Sequence, residues 1–488
     1  MLMKNKESIE KKMIYSTKWT TFGEIMAKLI APITNLILAR LLIPSDFGIV
    51  ATITMIISFA DIFSDIGFQK FIIQADIEER DLDKYANVAF WTNIFTSVVI
   101  WCILFISRSF FSNVLNMAEL KSVLPFATIP IIISSLSTIQ VAIFRKNFLF
   151  KNLFFIRLIG LVVPMLVTIP LAFMGFKFWS IIIGNIALSI LNTILLTIFS
   201  KWRPSFFYSL EILKKMMSFS LWTLVEGIAI WLTSWIDTFI IGTKLTSTDL
   251  GVYKTGTTNI NGIMSLVTAS TTPVLFSGLS KLKNEDEKFL QVFFKMQRWV
   301  SIILFPLGVG IYVFRELASR ILLGPGWGGA AEVIGNWALT SSIMIVLGNY
   351  CSEVYRAKGK PKLSFLAQIL HLIFLVPIIY FSAAKGLRFL VIVRSWSRLQ
   401  FILVHIFILK KYFDFPVIKM FKNISVVGFS AVIMGFIASF LLNLSDSIPT
   451  QIIWILISIS FYIVLLLIFP STRKDLIVFF KLIRKKGI

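Results

Sequence analysis

Apolar residues run along this chain in continuous stretches of about twenty, divided by short polar segments. Alternation of the kind that marks a barrel strand is absent, so the stretches read as membrane-crossing helices rather than strands. Fourteen are recognised, at roughly 19–42, 48–74, 84–107, 119–143, 153–175, 178–199, 215–241, 249–279, 290–313, 330–355, 363–382, 386–409, 420–442 and 450–470. The expected fold class is therefore an all-α polytopic membrane protein of about 14 transmembrane helices. Lys and Arg support the alternation this count requires. The leading tail, the even-numbered loops and the trailing tail, with their flanks, carry 34 of them, and the odd-numbered loops carry 9. That bias puts both termini on the cytoplasmic side of the membrane.

The pattern also repeats. Residues 19–50 lie without a gap on residues 222–253, and Trp19/Trp222, Thr20/Thr223, Asp46/Asp249 and Gly48/Gly251 are among the identical pairs. In each copy a long apolar helix meets a polar turn ending in Asp-x-Gly, where the next helix begins. A repeat this long marks a duplicated half rather than a solenoid unit. The copies begin at the first and seventh spans, so the halves share one orientation. The expected organisation is a basic tail (1–18), a six-helix lobe (19–200), a cytoplasmic loop (201–214), a second six-helix lobe (215–410), two further helices (420–470) and a basic tail (471–488).

Composition changes the picture little. The chain is 57% hydrophobic with a mean hydropathy of +0.84. Its net charge of +23 is spread over short loops instead of one basic face, so nucleic acid is not an expected partner. The two cysteines, Cys102 and Cys351, indicate neither a disulfide framework nor a metal site. No nucleotide-binding motif or cofactor signature appears.

Polar residues inside the spans carry the candidate chemistry. A mid-bilayer charge costs roughly 2.5–3.5 kcal/mol on insertion scales, so such residues tend to face a bundle interior or a wet cavity. The first span has Glu24, Lys28 and Asn35 on one face. The second has Thr54, Ser58, Asp61 and Asp65; the seventh, Glu226, Thr233 and Asp237; the eighth, Lys254, Thr258, Asn261, Ser265 and Thr268. These four spans hold the duplicated positions and predict the wall of a hydrated central cavity. The twelfth span holds Arg394, Arg398 and His405. An arginine pair suits bidentate contact with a diphosphate, and equally an internal salt bridge to an acid such as Glu353. His371, near Gln368 and Ser364, reads as a hydrogen-bonded packing residue. The GPGWGG turn from Gly324 predicts a Trp at the membrane interface.

ARLLIPSDFGIVA from Ala39 and FSDIGFQKFIIQ from Phe63 resemble the opening of the Wzx-type polysaccharide-unit flippases. These belong to the multidrug/oligosaccharidyl-lipid/polysaccharide exporter superfamily. SWIDTFIIGTKL from Ser234, LGVYKTG from Leu250, TPVLFSGLSKL from Thr272, LLGPGWGGAAEV from Leu322 and RAKGKPKL from Arg356 are similar to later landmarks, in order, over about residues 15–370. The resemblance implies two six-helix lobes in a V, with alternating access moving an undecaprenyl-diphosphate-linked oligosaccharide to the outer leaflet. It implies a proton or sodium ion as the coupling ion and no other cofactor. Membrane lipids are expected partners, as are polysaccharide polymerase or assembly proteins. Lys254 stands where many relatives carry Arg. On this reading Lys28, Asn35, Lys254, Asn261, Arg394 and Arg398 face the substrate, while Asp61, Asp65, Glu226 and Asp237 serve ion coupling. A multidrug or cation exporter of the same superfamily is the competing expectation. A membrane glycan polymerase or acyltransferase fits less well, because no long outward loop or His/Asp pair is present.

Overall fold

The structure, a computed structural model, describes residues 19, 23, 26–28, 30, 32–65, 67–74, 79–360, 362–444 and 447–485. Every regular element among them is helical. Helix α1 covers 32–41. It is followed by α2 (Pro44–Asp65), α3 (Phe68–Gln74), α4 (Glu79–Ile106), α5 (Arg108–Val114), α6 (Leu120–Ala127), α7 (Ile129–Ser135) and α8 (Thr138–Lys146). Next come α9 (Phe150–Gly160), a π-helical turn (Pro164–Thr168), α10 (Ile169–Phe173), α11 (Phe178–Phe199), α12 (Leu210–Lys244) and α13 (Ser247–Lys281). The remainder comprises α14 (Asp286–Val313), α15 (Arg315–Leu322), α16 (Ala330–Met344), a second π turn (Ile345–Asn349) and α17 (Tyr350–Ala357). It continues with α18 (Lys362–Ala383), α19 (Leu387–Ser397), α20 (Gln400–Phe413), α21 (Val417–Leu442), α22 (Ile448–Ile468) and α23 (Pro470–Lys485).

Among the described residues, 11 helical segments are long and apolar enough to cross a membrane, or 12 with the bent pair Leu120–Ser135 and Thr138–Lys146. The chain is a multi-span helical membrane protein. Of the other two expected spans, 19–42 includes residues outside the described ones, and 215–241 includes side chains outside them. The 35-residue α12 nevertheless covers the second of them.

Several expected spans are broken, and in the fourth and fifth prolines mark some of the breaks. Pro125 lies inside α6, and helical segments restart with Pro130, Pro164 and Pro170 in their first turn. Proline is tolerated there because the first-turn N–H has no intrahelical partner to lose. The second expected span ends early as well. α2 stops at Asp65, and α3 begins after Gly67, whose φ is 80°.

The duplicated turn folds the same way twice. α2 begins at Pro44 and α13 at Ser247, positions equivalent in the repeat. Asp46 Oδ2 accepts from the Ile43 N–H at 3.2 Å, and Asp249 Oδ2 accepts from the Thr246 N–H at 3.2 Å. Each carboxylate thereby satisfies one donor ahead of its helix and sits at the positive end of the helix dipole.

The chain divides into two compact units, Met1–Lys254 and Thr255–Ile488. The first therefore runs further than the lobe boundary expected between 200 and 215. The reason is packing. Met216, at the start of α12, is buried with Phe68, Ile72, Ala86, Ala89 and Ile139 of α3, α4 and α8. α12 also lies along α2.

In the second unit α14 packs on α16 and α21, and α21 on α22. The two helices outside the repeat are thus integral to this unit. Arg298 of α14 ties its polar end together. Arg298 Nη2 donates to Asn423 Oδ1 at 2.7 Å and Nη1 to Asp475 Oδ2 at 3.2 Å. Trp327 is buried, 5% exposed, in a turn where Gly324, Gly326 and Gly329 adopt φ of 81–93°.

Candidate functional site

In the first unit, α2 carries an open polar face. Thr54 and Asp61 are exposed, and Ser58 lies half-buried between them. Ser58 is held from α12, where Trp231 Nε1 donates to its Oγ at 3.1 Å and to the Met55 carbonyl at 3.2 Å. The Trp231 ring packs on Phe59, 4.8 Å between centroids. An indole N–H in an apolar setting needs an acceptor, and the serine hydroxyl and the Met55 carbonyl supply it. Asp61 stands one turn beyond this clamp, on the open side.

A second cluster joins α12 to the start of α13. Asp237 is buried and accepts from Tyr253 OH at 2.8 Å and from the Thr238 N–H at 2.7 Å. Lys254 Nζ donates to Thr238 Oγ1 at 3.1 Å and sits 4.1 Å from the centroid of the Trp235 ring. The structure therefore places Asp237 and Lys254, read separately in the sequence, in one polar cluster bridged by Thr238 and Tyr253. Hydrogen bonds and a cation–π contact make both charges tolerable at this depth.

The second unit contains a polar layer between α13, α16 and α19. Trp337 is buried on α16, and its Nε1 donates to Asn261 Oδ1 on α13 at 2.9 Å. Over the same indole lie Arg398, with Cζ 3.9 Å from the ring centroid, and Arg394, at 5.3 Å. Arg398 Nη1 donates to Ser341 Oγ at 2.9 Å. Trp396 Nε1 donates to Asn336 Oδ1 at 3.2 Å. Arg394 is 6% exposed, whereas Asn261 is exposed, as is Thr258 one turn earlier. Both arginines thus stand behind an aromatic residue. Arg398 ends α19 where the helix breaks before α20, which frees its side chain to turn toward α16. Glu353, considered as an acid partner for these arginines, pairs instead with Arg356 of its own helix.

His371 Nδ1 lies 3.1 Å from Gln400 Oε1, and its ring stacks on Phe401 at 4.6 Å. His405 Nδ1 lies 3.0 Å from Tyr355 OH, fully buried. Lys28 and Asn35 are half-buried. Glu24 lies outside the described residues, as do the side chains of Asp65 and Glu226. Among the described residues no group of three His, Cys, Asp or Glu side chains converges as a metal site.

Thr238, Ser341 and the tryptophans 231, 235 and 337 were not singled out in the sequence. The signal for the tryptophans was present: an indole within a long apolar helix needs an acceptor. Sequence spacing does not say which residue provides it.

A family described as "Polysaccharide biosynthesis protein" matches residues 37–332. The Escherichia coli K12 lipopolysaccharide biosynthesis protein WzxC is 22% identical, over 76% of this chain and 75% of its own. The teichuronic acid biosynthesis protein TuaB of Bacillus subtilis 168 is 24% identical, over 73% and 74%. Among solved structures, the lipid II flippase MurJ in an inward closed conformation superposes with a TM-score of 0.77. It covers 95% of this chain and all of its own at 15% identity. An inward-facing multidrug resistance transporter of the MATE family gives 0.59, covering 78% and 93% at 13% identity. At these identities the structural likeness is one of fold.

Proposed function

This chain belongs to the polysaccharide biosynthesis protein family, and on that premise we propose that it flips a lipid-linked oligosaccharide across a bacterial cytoplasmic membrane by alternating access. The expected cargo is a polyprenyl-diphosphate carrying one repeat unit of O-antigen, capsule or exopolysaccharide. The observation that carries the reading is the open polar faces on otherwise apolar helices. Thr54, Ser58 and Asp61 form one on α2; Thr258, Asn261, Ser265 and Thr268 form another on α13. A flippase must pass a charged, hydroxyl-rich headgroup through hydrocarbon while the lipid tail stays in the membrane, and such faces replace the water the headgroup gives up. No bond in the cargo needs to break, so the protein acts as a transporter and not an enzyme.

The Lys/Arg bias places both termini in the cytoplasm. Lys28, Asn35, Lys254 and Asn261 are assigned to the substrate, as are Arg394 and Arg398, which lie over the Trp337 indole. Asp61, Asp65, Glu226 and Asp237 are assigned to coupling with a proton or sodium gradient.

Gene deletion tests the function. Surface polymer should be lost while single lipid-linked repeat units accumulate on the inner leaflet. Normal polymer with altered sensitivity to cationic drugs would replace this reading with drug export.

A further inference from the structure

The indole that separates Arg398 from Asn261 does more than pack. Indole Nε1–H is a donor and never an acceptor. The 2.9 Å bond from Trp337 therefore requires the Asn261 oxygen to face inward. The amide NH2 is then left on the opposite, open side of α13. Among the described residues, Trp337 is the one recorded hydrogen-bond partner of the Asn261 side chain. An asparagine has donor and acceptor at one tip and is ordinarily indifferent to ligand polarity. Here that indifference is removed.

Arg398 adds a sign to the arrangement. Its guanidinium carbon lies 3.9 Å from the centroid of the Trp337 ring. A cation over the face of an indole draws electron density from it and makes the N–H a stronger donor. Hydrogen bonds in series polarise one another, so the Asn261 amide hydrogens become more positive in turn. Ser341 holds Arg398 in place at 2.9 Å, and Trp337 is 6% exposed. The relay is thus built behind the helix surface.

We propose that Asn261 is a polarity-fixed donor for the phosphate oxygens of the lipid diphosphate, oriented by Trp337 and charged through it by Arg398. This rests on the flippase reading and deepens it. The two arginines need not touch the ligand; Trp337 and Arg398 are positioning residues. Phosphate oxygens are the favoured ligand because they are acceptors carrying negative charge, and this relay offers donors backed by positive charge.

The test uses the full-length protein in lipid nanodiscs, titrated with undecaprenyl diphosphate and, in parallel, with undecaprenol. Wild type should bind the diphosphate more tightly than the alcohol. Asn261→Asp keeps the oxygen facing Trp337 but turns a second oxygen outward, so diphosphate affinity should fall at least tenfold with undecaprenol unchanged. Trp337→Phe frees the amide to rotate and should cost severalfold. Asn261 is exposed, so its substitutions leave the fold standing if the larger change at Trp337 does not. Equal diphosphate affinity in wild type and Asn261→Asp overturns the proposal while leaving the flippase intact. So does an equal loss for both lipids, which would mark Asn261 as structural. A wild-type protein that does not distinguish diphosphate from alcohol overturns this inference and the lipid-linked cargo together.

Discussion

Gly48 and Gly251, equivalent residues of the two repeat copies, meet where the N-terminal turns of α2 and α13 cross. A Cβ on Gly251 would run into the Pro44 carbonyl and stand 2.9 Å from the Gly48 nitrogen; one on Gly48 would run into the Ser247 carbonyl, 3.1 Å from its Cα. Pro44 and Ser247 are themselves equivalent. The contact is therefore reciprocal, as two surfaces related by a twofold axis must be. Backbone meets backbone, which only glycine permits.

Replacing either glycine by alanine should accordingly be costly, because the neighbour is main chain and not a side chain able to rotate away. Overpacking of this kind typically costs about 1–3 kcal/mol. Gly48→Ala and Gly251→Ala should each lower the unfolding temperature in detergent. Gly310→Ala, whose added methyl meets nothing within 4 Å, should leave it unchanged. Equal behaviour of all three would show that the crossing yields easily.

Asp61 is exposed on α2 and stands apart from the Trp231 clamp. Asp61→Asn should abolish polysaccharide export at normal membrane levels, and Asp61→Glu should retain part of it. A fall in the amount of protein that matches the loss of export would assign Asp61 to packing.

The Tyr253 hydroxyl holds the buried Asp237 at 2.8 Å. A hydrogen bond to a charged group contributes about 1.5–3 kcal/mol. Tyr253→Phe should destabilise the protein by that order. Combined with Asp237→Asn, the effects should be less than additive, because both variants disturb one bond. Strict additivity in thermal unfolding would mean that the pair is not coupled.

Arg298 bridges α14 to Asn423 on α21 and Asp475 on α23. Arg298→Ala leaves Asn423 and Asp475 without that partner, and α23 should detach more readily. Limited proteolysis should then cut within 470–485 at least severalfold faster than in wild type. An unchanged rate would show that α23 is held by its apolar face alone.

Much of the fold was legible because its causes are local. Continuous apolar runs imply spans wherever they occur. The Asp-x-Gly turn was legible for the same reason: Asp46 and Asp249 bond donors three residues away, so equal local sequence produced equal local structure. Proline breaks were equally local, although the pattern alone read α6, α7 and α8 as one span.

Contacts between distant residues were not legible. Spacing placed Arg394 and Arg398 on one face of a span but left a diphosphate and an acid as equal partners. The tertiary structure put Trp337 there, from a helix about sixty residues earlier. Asp237 and Lys254 likewise looked like separate sites until α12 and α13 came together around Thr238 and Tyr253. The division into two units followed packing too, since Met216 is buried among residues of α3, α4 and α8. Hydropathy and turn chemistry act over a few residues, and the sequence by itself determined which segments are helical, membrane-embedded and repeated. The partner of a buried polar group depends on which helices pack together, and only the tertiary structure decided that.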